Sequence, residues 1–195
     1  MSLTFDEVTH TYQFNGIVVP SVTSILAPLQ DFKHVPPHVL KAASEFGVAV
    51  HMACELDDLG ELDESSLDVE LRPYLKAWRK FCVDYEAEWM QIEQQVYHET
   101  LCYAGTLDRI GTVKGINTVL DIKSGSRLYP SVGPQLAAYQ QAANHPTAQR
   151  MAVQLKSNGD YVARAYTDTN DWPLFCSLLT LRNWCATHSI TPKFG

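Results

Sequence analysis

The sequence has no long hydrophobic run. No apolar stretch approaches the roughly 18 residues that a membrane-spanning helix needs. The chain starts with MSLTFDEVTHTYQF, which lacks the basic start and apolar stretch of a secretory signal. This start is also acidic where a transit peptide would be basic. These absences predict a cytoplasmic protein with no membrane partner.

Cysteines are few and scattered. The five cysteines are odd in number, and no two of them form a CxxC pair. A disulfide framework normally has an even number of cysteines, and a zinc knuckle needs closely spaced pairs. The sequence therefore predicts reduced, mostly buried thiols and argues against both of these scaffolds.

Positive charge is in deficit, with 15 lysines and arginines against 22 acidic residues and a net charge of −7. Proteins that coat nucleic acid without sequence specificity are usually basic. The composition therefore argues against an extended DNA-binding surface. A local basic groove remains compatible with it, because the electrostatic field depends on where the charges lie.

The remaining composition is typical of one globular domain, because 46% of the 195 residues are hydrophobic and 19% are charged. No repeat or low-complexity linker divides the chain, so we expect a single domain over residues 1–195. Its N-terminal part, residues 1–30, contains a hairpin and then a helix that starts after Pro20. The order of the elements predicts an α/β fold whose mixed central sheet, within residues 91–166, is flanked by helices. Periodicity predicts helices over residues 39–59, 67–89, 129–146 and 170–189, a strand over 91–97, and hairpins over 10–19, 102–123 and 150–166.

Two aspartates interrupt the apolar pattern of one predicted hairpin, GTLDRIGTVKGINTVLDIKSG. Because side chains alternate along a strand, Asp121 and Lys123 point to the same face. A two-residue turn would place Asp108 opposite Asp121, and a four-residue turn would place it opposite Lys123. In either register Asp108 shares their face, and only an odd-length loop would separate them.

Opposed carboxylates repel each other, since opposed Cβ atoms lie roughly 4.5–5.5 Å apart. A divalent cation between them removes this repulsion, whereas a neighbouring lysine removes only part of it. A surface ion cluster is the alternative interpretation. The flanking residues, however, are those of a strand deep in a sheet, which favours a functional site. They are Leu107, Ile110, Val119, Leu120 and Ile122.

The spacing of Asp108, Asp121 and Lys123 resembles the D…(D/E)-x-K core of the PD-(D/E)XK nuclease superfamily, which has a restriction-endonuclease-like fold. GVAVHMACE, residues 47–55, resembles the GxxxHxxxE helix of the RecB-like branch. GPQLAAYQQA, residues 133–142, resembles the QxxxY helix of that branch. Two further segments are similar to the mitochondrial genome maintenance exonuclease family and its phage relatives. They are PSVTSIL, residues 20–26, and EQQVYHETLCYAGTLD, residues 93–108.

The resemblance implies a catalytic group of Asp108, Asp121 and Lys123. It also implies that Mg²⁺ or Mn²⁺ is held by His51, by both aspartates and by the backbone carbonyl of Ile122. Lys123 would orient a water molecule or stabilise charge in the transition state. The residues expected to support the metal ligands or position the substrate are Glu55, Glu93, Gln135 and Tyr139.

Contacts to DNA are expected at two further places. Ser21, Thr23 and Ser24 lie at a predicted helix N-terminus, where they would bind a phosphate or simply cap the helix. Arg109, Ser124 and Arg127 are the other candidates for contacts to the strand.

The implied activity is that of a metal-dependent DNA exonuclease acting on single-stranded or duplex ends. The implied setting is DNA recombination, repair or replication in a phage or bacterium, with a single-strand annealing protein as a candidate partner. Two alternatives remain open at this point. One is a structure-specific endonuclease of the same fold, and the other is a catalytically silent module that binds DNA or a recombination partner.

Overall fold

The computed structural model describes residues 2–30, 32 and 34–191. Its helices are α1 (Val22–Leu26), α2 (Pro37–Leu59), α3 (Arg72–Asp84), α4 (Val132–Ala142) and α5 (Asp171–Thr187). Its strands are β1 (Leu3–Asp6), β2 (Thr11–Phe14), β3 (Ile17–Val19), β4 (Glu88–His98), β5 (Tyr103–Val113), β6 (Ile116–Lys123), β7 (Gln149–Leu155) and β8 (Tyr161–Ala165). None of the described helices is both long and apolar enough to span a bilayer.

The central sheet has the strand order β4-β5-β6-β7-β8, and only the β6–β7 pair is parallel. The β5–β6 turn consists of Lys114 and Gly115, whose φ angles are +51° and +74°. Two successive positive φ angles are typical of a type I′ turn, which fits the twist of a two-residue hairpin. The observed register therefore corresponds to the two-residue alternative.

The sheet lies between two helical layers. Leu120 and Ile122 of β6 pack with Trp78 and Phe81 in a core cluster formed with α2 and α3. The opposite face packs against α1, α4 and α5, and Val119 belongs to that second cluster. The predicted mixed sheet flanked by helices is thus confirmed, and so is the prediction that Leu120 and Ile122 share one face.

The N-terminal part forms a separate three-stranded sheet, β1-β2-β3. The predicted hairpin at Asn15-Gly16 is confirmed, with φ angles of +50° and +79°. Strand β1 was not predicted, because four residues carry little periodicity. A hydrogen bond of 2.8 Å between the hydroxyl groups of Tyr12 and Thr106 joins this small sheet to β5.

The predicted helix over residues 67–89 is wrong at both ends. The observed helix α3 covers only Arg72–Asp84 and has Pro73 in its first turn, where the missing N–H of proline costs nothing. At the other end Glu86 adopts φ +48°, which ends the helix before β4 begins. The apolar spacing continues past this point, but the backbone does not follow it.

Candidate active site

The strand registers place three carboxylates, Glu93, Asp108 and Asp121, at one level across β4, β5 and β6. In the two strand ladders Arg109 pairs with Ile92 on one side and with Leu120 on the other. One position along, Asp108 is therefore level with Glu93 and Asp121. Side chains directly opposite each other in antiparallel strands project from the same face. The two aspartates, which the sequence predicts to share one face, therefore lie opposite each other, and a third carboxylate extends the row.

Asp108 is buried and holds the two strands of the hairpin together where their ladder ends. Its Oδ2 accepts a hydrogen bond from the backbone N–H of Ile122 at 2.6 Å. Burial raises the pKa of Asp108, and the nearby charge of His51 opposes that shift. The carboxylate thus lies in a poorly solvated place, where a cation would stabilise its charged form.

His51 enters the site from α2. Its Nε2 lies 3.0 Å from the carbonyl oxygen of Ile122, and its Nδ1 lies 3.6 Å from Glu93 Oε1 and from Asp108 Oδ2. Burial alone would lower the pKa of His51, but the two carboxylates outweigh burial and raise it to about 9. The imidazole therefore lies where a positive charge is favoured.

Lys123 forms an ion pair with Asp121. Its Nζ lies 3.0 Å from Oδ1 and 2.8 Å from Oδ2 of the carboxylate, which is almost completely buried. Burial disfavours the charged lysine, yet Asp121 and Asp108 raise its pKa above the ordinary value. Lys123 is consequently protonated at neutral pH, where it is a poor general base.

Helix α4 carries Gln135 and Tyr139, and their supporting role in the site stays a prediction. The Gln135 side-chain amide donates to the Tyr139 hydroxyl at 3.4 Å. Burial raises the pKa of Tyr139, and the charges of Asp121 and Asp108 add to that shift. The ring lies against Gly105, where an added Cβ would be 2.6 Å from Tyr139 Cε1. Any side chain at position 105 would therefore displace the Tyr139 ring.

The expectation that Arg109 contacts DNA is wrong, because its side chain has no exposed surface. Arg109 Nε donates to Asp58 Oδ2 at 2.8 Å, and its Nη1 donates to Glu93 Oε1 at 3.1 Å. The guanidinium also lies over the Trp78 ring, 5.5 Å from its centroid. Arg109 therefore orients Glu93 from inside the protein.

Glu55 does not orient His51 in the way its i, i+4 spacing suggests. Within the described part of the chain it makes no hydrogen bond to the imidazole, which contacts Ile122 instead. Burial raises the pKa of Glu55, and the charge of Glu93 adds to the shift. Glu55 therefore adds to the negative charge around Glu93.

The serines and threonine at α1 act as a helix cap. Ser21 Oγ accepts from the backbone N–H of Ser24 at 3.1 Å and lies 3.2 Å from Thr23 Oγ1. A backbone bridge to Ala104 fixes this cap beside the start of β5. The capping interpretation accounts for these contacts, and phosphate binding there stays a prediction.

The two remaining candidates lie on the loop after β6. Ser124 Oγ would be 3.6 Å from a Cβ added at Gly47, one helical turn before His51 on α2. Arg127 is exposed and lies over the Tyr129 ring. Unlike Arg109, both keep exposed surface, and their contact with a DNA strand stays a prediction.

Tyr166, which directly follows β8, is a residue of this site that the sequence did not suggest. Burial raises the pKa of its phenol, and the charges of Asp121 and Lys123 act on it as well. The hydroxyl is buried and has no hydrogen-bond partner among the described residues. Its only sequence signal, a position at the end of a predicted hairpin, does not indicate which strands lie beside it.

The donor set fits a divalent cation. One ligand atom each from His51, Glu93 and Asp108 lie within 4.8 Å of one another. Asp121 Oδ2 lies close to Lys123 but accepts no hydrogen bond among the described residues. This oxygen could therefore bind a cation. Carboxylates with one imidazole are ligands that suit Mg²⁺ and Mn²⁺. Glu93, predicted only for support, is thus a candidate ligand.

The chain is distantly similar to known structures. No family model and no curated protein matches the chain. An exonuclease candidate from Eubacterium rectale is 10% identical, with a TM-score of 0.46, covering 75% of this chain and 69% of its own. An alkaline exonuclease from Laribacter hongkongensis is 9% identical, with a TM-score of 0.42, covering 87% of this chain and 91% of its own. Similarities this low do not establish an activity.

Proposed function

We propose that the protein is a metal-dependent deoxyribonuclease of the PD-(D/E)XK type that hydrolyses phosphodiester bonds from DNA ends. The observation that carries the proposal is the placement of Asp108 and Asp121 at one level, with the cationic Lys123 paired to Asp121. His51 and Glu93 complete the set of donors. Buried carboxylates can hold the divalent cation of metal-assisted phosphodiester hydrolysis, and a lysine beside them can stabilise charge in the transition state.

The residues divide into those that would hold the cation and those that would act on the phosphate. His51, Glu93, Asp108 and Asp121 would hold Mg²⁺ or Mn²⁺, which would lower the pKa of a water molecule and neutralise phosphate charge. Lys123 would stabilise the negative charge that grows on the phosphate oxygens, because it remains protonated.

The supporting residues fix these groups in place. Arg109 holds Glu93 from the core, and the backbone N–H of Ile122 holds Asp108. On the opposite helical layer, Gln135 and Tyr139 form a hydrogen-bonded pair that would position the substrate strand. Groups that are fixed before the substrate arrives need no reorganisation during the reaction.

Action from DNA ends, and a role in phage or bacterial recombination, repair or replication, rest on the family resemblance. The acidic net charge of −7 agrees with a narrow contact region rather than a broad basic face. A flexible single strand would reach such a region more readily than a rigid duplex. We therefore propose single strands and frayed or tailed duplex ends as substrates.

End-labelled linear and circular DNA tests this proposal. The protein is incubated with single-stranded linear, tailed duplex, blunt duplex and single-stranded circular DNA in Mg²⁺, Mn²⁺ or EDTA. We expect release of nucleotides from linear substrates with metal, no reaction in EDTA and an intact circle. Rapid opening of the circle would show the alternative endonuclease, and no cleavage of any substrate would indicate the silent binding module.

A matched pair of variants excludes a contaminating nuclease. Lys123→Ala removes the cation beside Asp121, whereas Lys114→Ala removes a cation at the turn, at the other end of the same hairpin. Activity that survives Lys114→Ala and disappears in Lys123→Ala belongs to this site. Equal activity in both preparations would contradict the proposal.

A further inference from the structure

A cationic and aromatic cluster lies on the loop that follows the Lys123 strand. The guanidinium of Arg127 lies over the ring of Tyr129, 4.4 Å from its centroid. The ring of Phe32 meets Tyr129 edge-on, with 6.1 Å between the centroids. Tyr129 is 36% exposed and Arg127 is exposed, so the cluster presents an aromatic and a cationic surface to solvent.

The loop that carries this cluster is anchored at three points. The Gln154 side-chain amide donates to the carbonyl oxygen of Gly125 at 2.6 Å. Leu128 packs against the core cluster of α1, α4 and α5. The carbonyl oxygen of Tyr129 accepts from the N–H of Val132 at 3.1 Å, at the start of α4. The backbone on both sides of Tyr129 is therefore fixed before any ligand arrives.

The cluster is close to the candidate catalytic residues along the chain. Tyr129 is six residues after Lys123, which limits their separation to about 20 Å even for an extended chain. Ser124, at the start of the loop, lies beside Gly47, one helical turn before His51. A strand bound at the catalytic residues could thus reach Tyr129 within about six nucleotides.

The charge of the loop also favours a nucleic-acid strand. Residues 124–131 contain Arg127 and no acidic residue, in a chain whose net charge is −7. Aromatic faces stack with any base, and an arginine on the ring adds a contact for the base or its phosphate. The bases of a duplex are already stacked on each other and are not free to use such a surface.

We propose that Arg127 and Tyr129, with Phe32 at the edge, form a stacking platform for an unpaired base of the DNA strand. The proposal rests on the proposed nuclease function and assigns the single-strand preference to a defined surface. Arg127 was expected to contact DNA, but the aromatic partners add a selectivity that charge alone does not give. The platform positions the strand and takes no part in the chemical step.

Steady-state cleavage of single-stranded and blunt duplex DNA tests the platform in Tyr129→Ala, Tyr129→Phe and Arg127→Gln. Stacking on one aromatic side chain predicts a KM for single strands on the order of tenfold higher in Tyr129→Ala, with kcat little changed. Tyr129→Phe keeps the ring and should behave like the unaltered protein. Arg127→Gln should raise KM by a smaller factor, and Lys114→Ala serves as the charge control.

Binding of a set of single-stranded oligonucleotides gives an independent measurement. Each oligonucleotide has one abasic position, placed at a different one of the first six nucleotides from the cleaved end. The abasic position that faces the platform should weaken binding to the unaltered protein and cause no further loss in Tyr129→Ala. If the abasic position weakens binding to Tyr129→Ala as much as binding to the unaltered protein, the proposal is wrong. It is also wrong if Tyr129→Ala raises KM equally for single strands and for blunt duplex. Thermal melting identifies a variant whose fold is damaged, in which case Arg127→Gln decides.

Failure of the platform and failure of the nuclease function can be told apart. Fluorescence anisotropy of a labelled single strand in EDTA measures binding without cleavage. If the unaltered protein cleaves DNA and Tyr129→Ala binds as tightly, the platform is wrong and the nuclease stands. If nothing is cleaved but Tyr129→Ala binds about tenfold more weakly, the nuclease function is wrong and the platform stands as a single-strand binding site.

Discussion

The Nε2 atom of His51 lies 3.0 Å from the carbonyl oxygen of Ile122. Because a carbonyl oxygen can only accept, Nε2 carries a hydrogen, and Nδ1 is left facing Glu93 and Asp108. Two groups that the family resemblance implies as ligands of one cation are therefore hydrogen-bonded to each other. A cation bound by His51 must compete with a proton on this ring.

Metal affinity should consequently depend on pH. The carboxylates raise the pKa of His51 from 6.5 to about 9, and a ligating imidazole must be deprotonated. We expect Mn²⁺ to bind more tightly as pH rises from 6.5 to 9, with release of a proton. Titration calorimetry in two buffers of different ionisation enthalpy measures that proton. His51→Gln should abolish the proton release, whereas His10→Gln, in the N-terminal turn, should retain it.

Stability in EDTA should also depend on His51. Its raised pKa gives stability that is fully present below pH 6.5 and is lost as pH rises through about 9. The loss should be no more than about 3.5 kcal/mol, since one pKa unit corresponds to roughly 1.4 kcal/mol. Urea unfolding at pH 6.5, 8 and 9.5 measures it. A slope between pH 6.5 and 9 that is unchanged in His51→Gln would assign the effect to another group.

Mn²⁺ should raise the melting temperature, because a ligand that binds only the folded state stabilises it by mass action. Asp108→Asn removes one ligand charge but keeps an oxygen that can accept from Ile122 N. In EDTA this variant should melt no lower than the unaltered protein, and it should lose most of the Mn²⁺ effect. Asp160→Asn, an exposed control, should keep it. An unchanged Mn²⁺ response in Asp108→Asn would contradict the carboxylate site.

Asp121→Ala and Lys123→Ala should both abolish cleavage, but they should differ in metal binding. Removing a group that stabilises charge in the transition state costs on the order of 10²–10³ in kcat. Lys123→Ala should still bind Mn²⁺, because it removes no ligand, whereas Asp121→Ala should bind it more weakly. Single-turnover rates and Mn²⁺ titrations check both expectations. Near-normal turnover in Lys123→Ala would show that this lysine is not catalytic.

Arg109→Met should destabilise the protein strongly. The change leaves Asp58 and Glu93 without their buried partner, and breaking such a pair costs about 3–5 kcal/mol. Urea unfolding in EDTA measures the loss. Adding Asp58→Asn to Arg109→Met should recover part of it, because one of the two unpaired charges is then gone. If the double variant is no more stable, the ion pair is not the cause.

The geometry of the hairpin could be predicted from local signals. The alternation of β6 places Asp121 and Lys123 on one face, and any turn of even length places Asp108 there as well. Lys114-Gly115 then adopts the positive φ angles that a two-residue turn requires. These relationships depend on residues close together in sequence, so the sequence is sufficient for them.

The contacts of Arg109 and Tyr166 could not be predicted in the same way. Arg109 is buried because Asp58 of α2 and Glu93 of β4 converge on it from 51 and 16 residues away. In the sequence it is simply a cation beside the motif aspartate. Tyr166 reaches the site because β8 lies beside β7, which in turn pairs with β6. Contacts of this kind depend on the assembled sheet.

The candidate site draws side chains from all three layers of the fold, with His51 from α2, the carboxylates from the sheet and Tyr139 from α4. Residues 37–45 of α2 are mostly exposed, so the N-terminal half of this helix has little packing to hold it. A cation shared by His51 and the strands would cross-link α2 to the sheet. Metal binding would then slow amide hydrogen exchange along α2, including residues far from His51. The rate at which α2 opens would therefore depend on the free metal concentration.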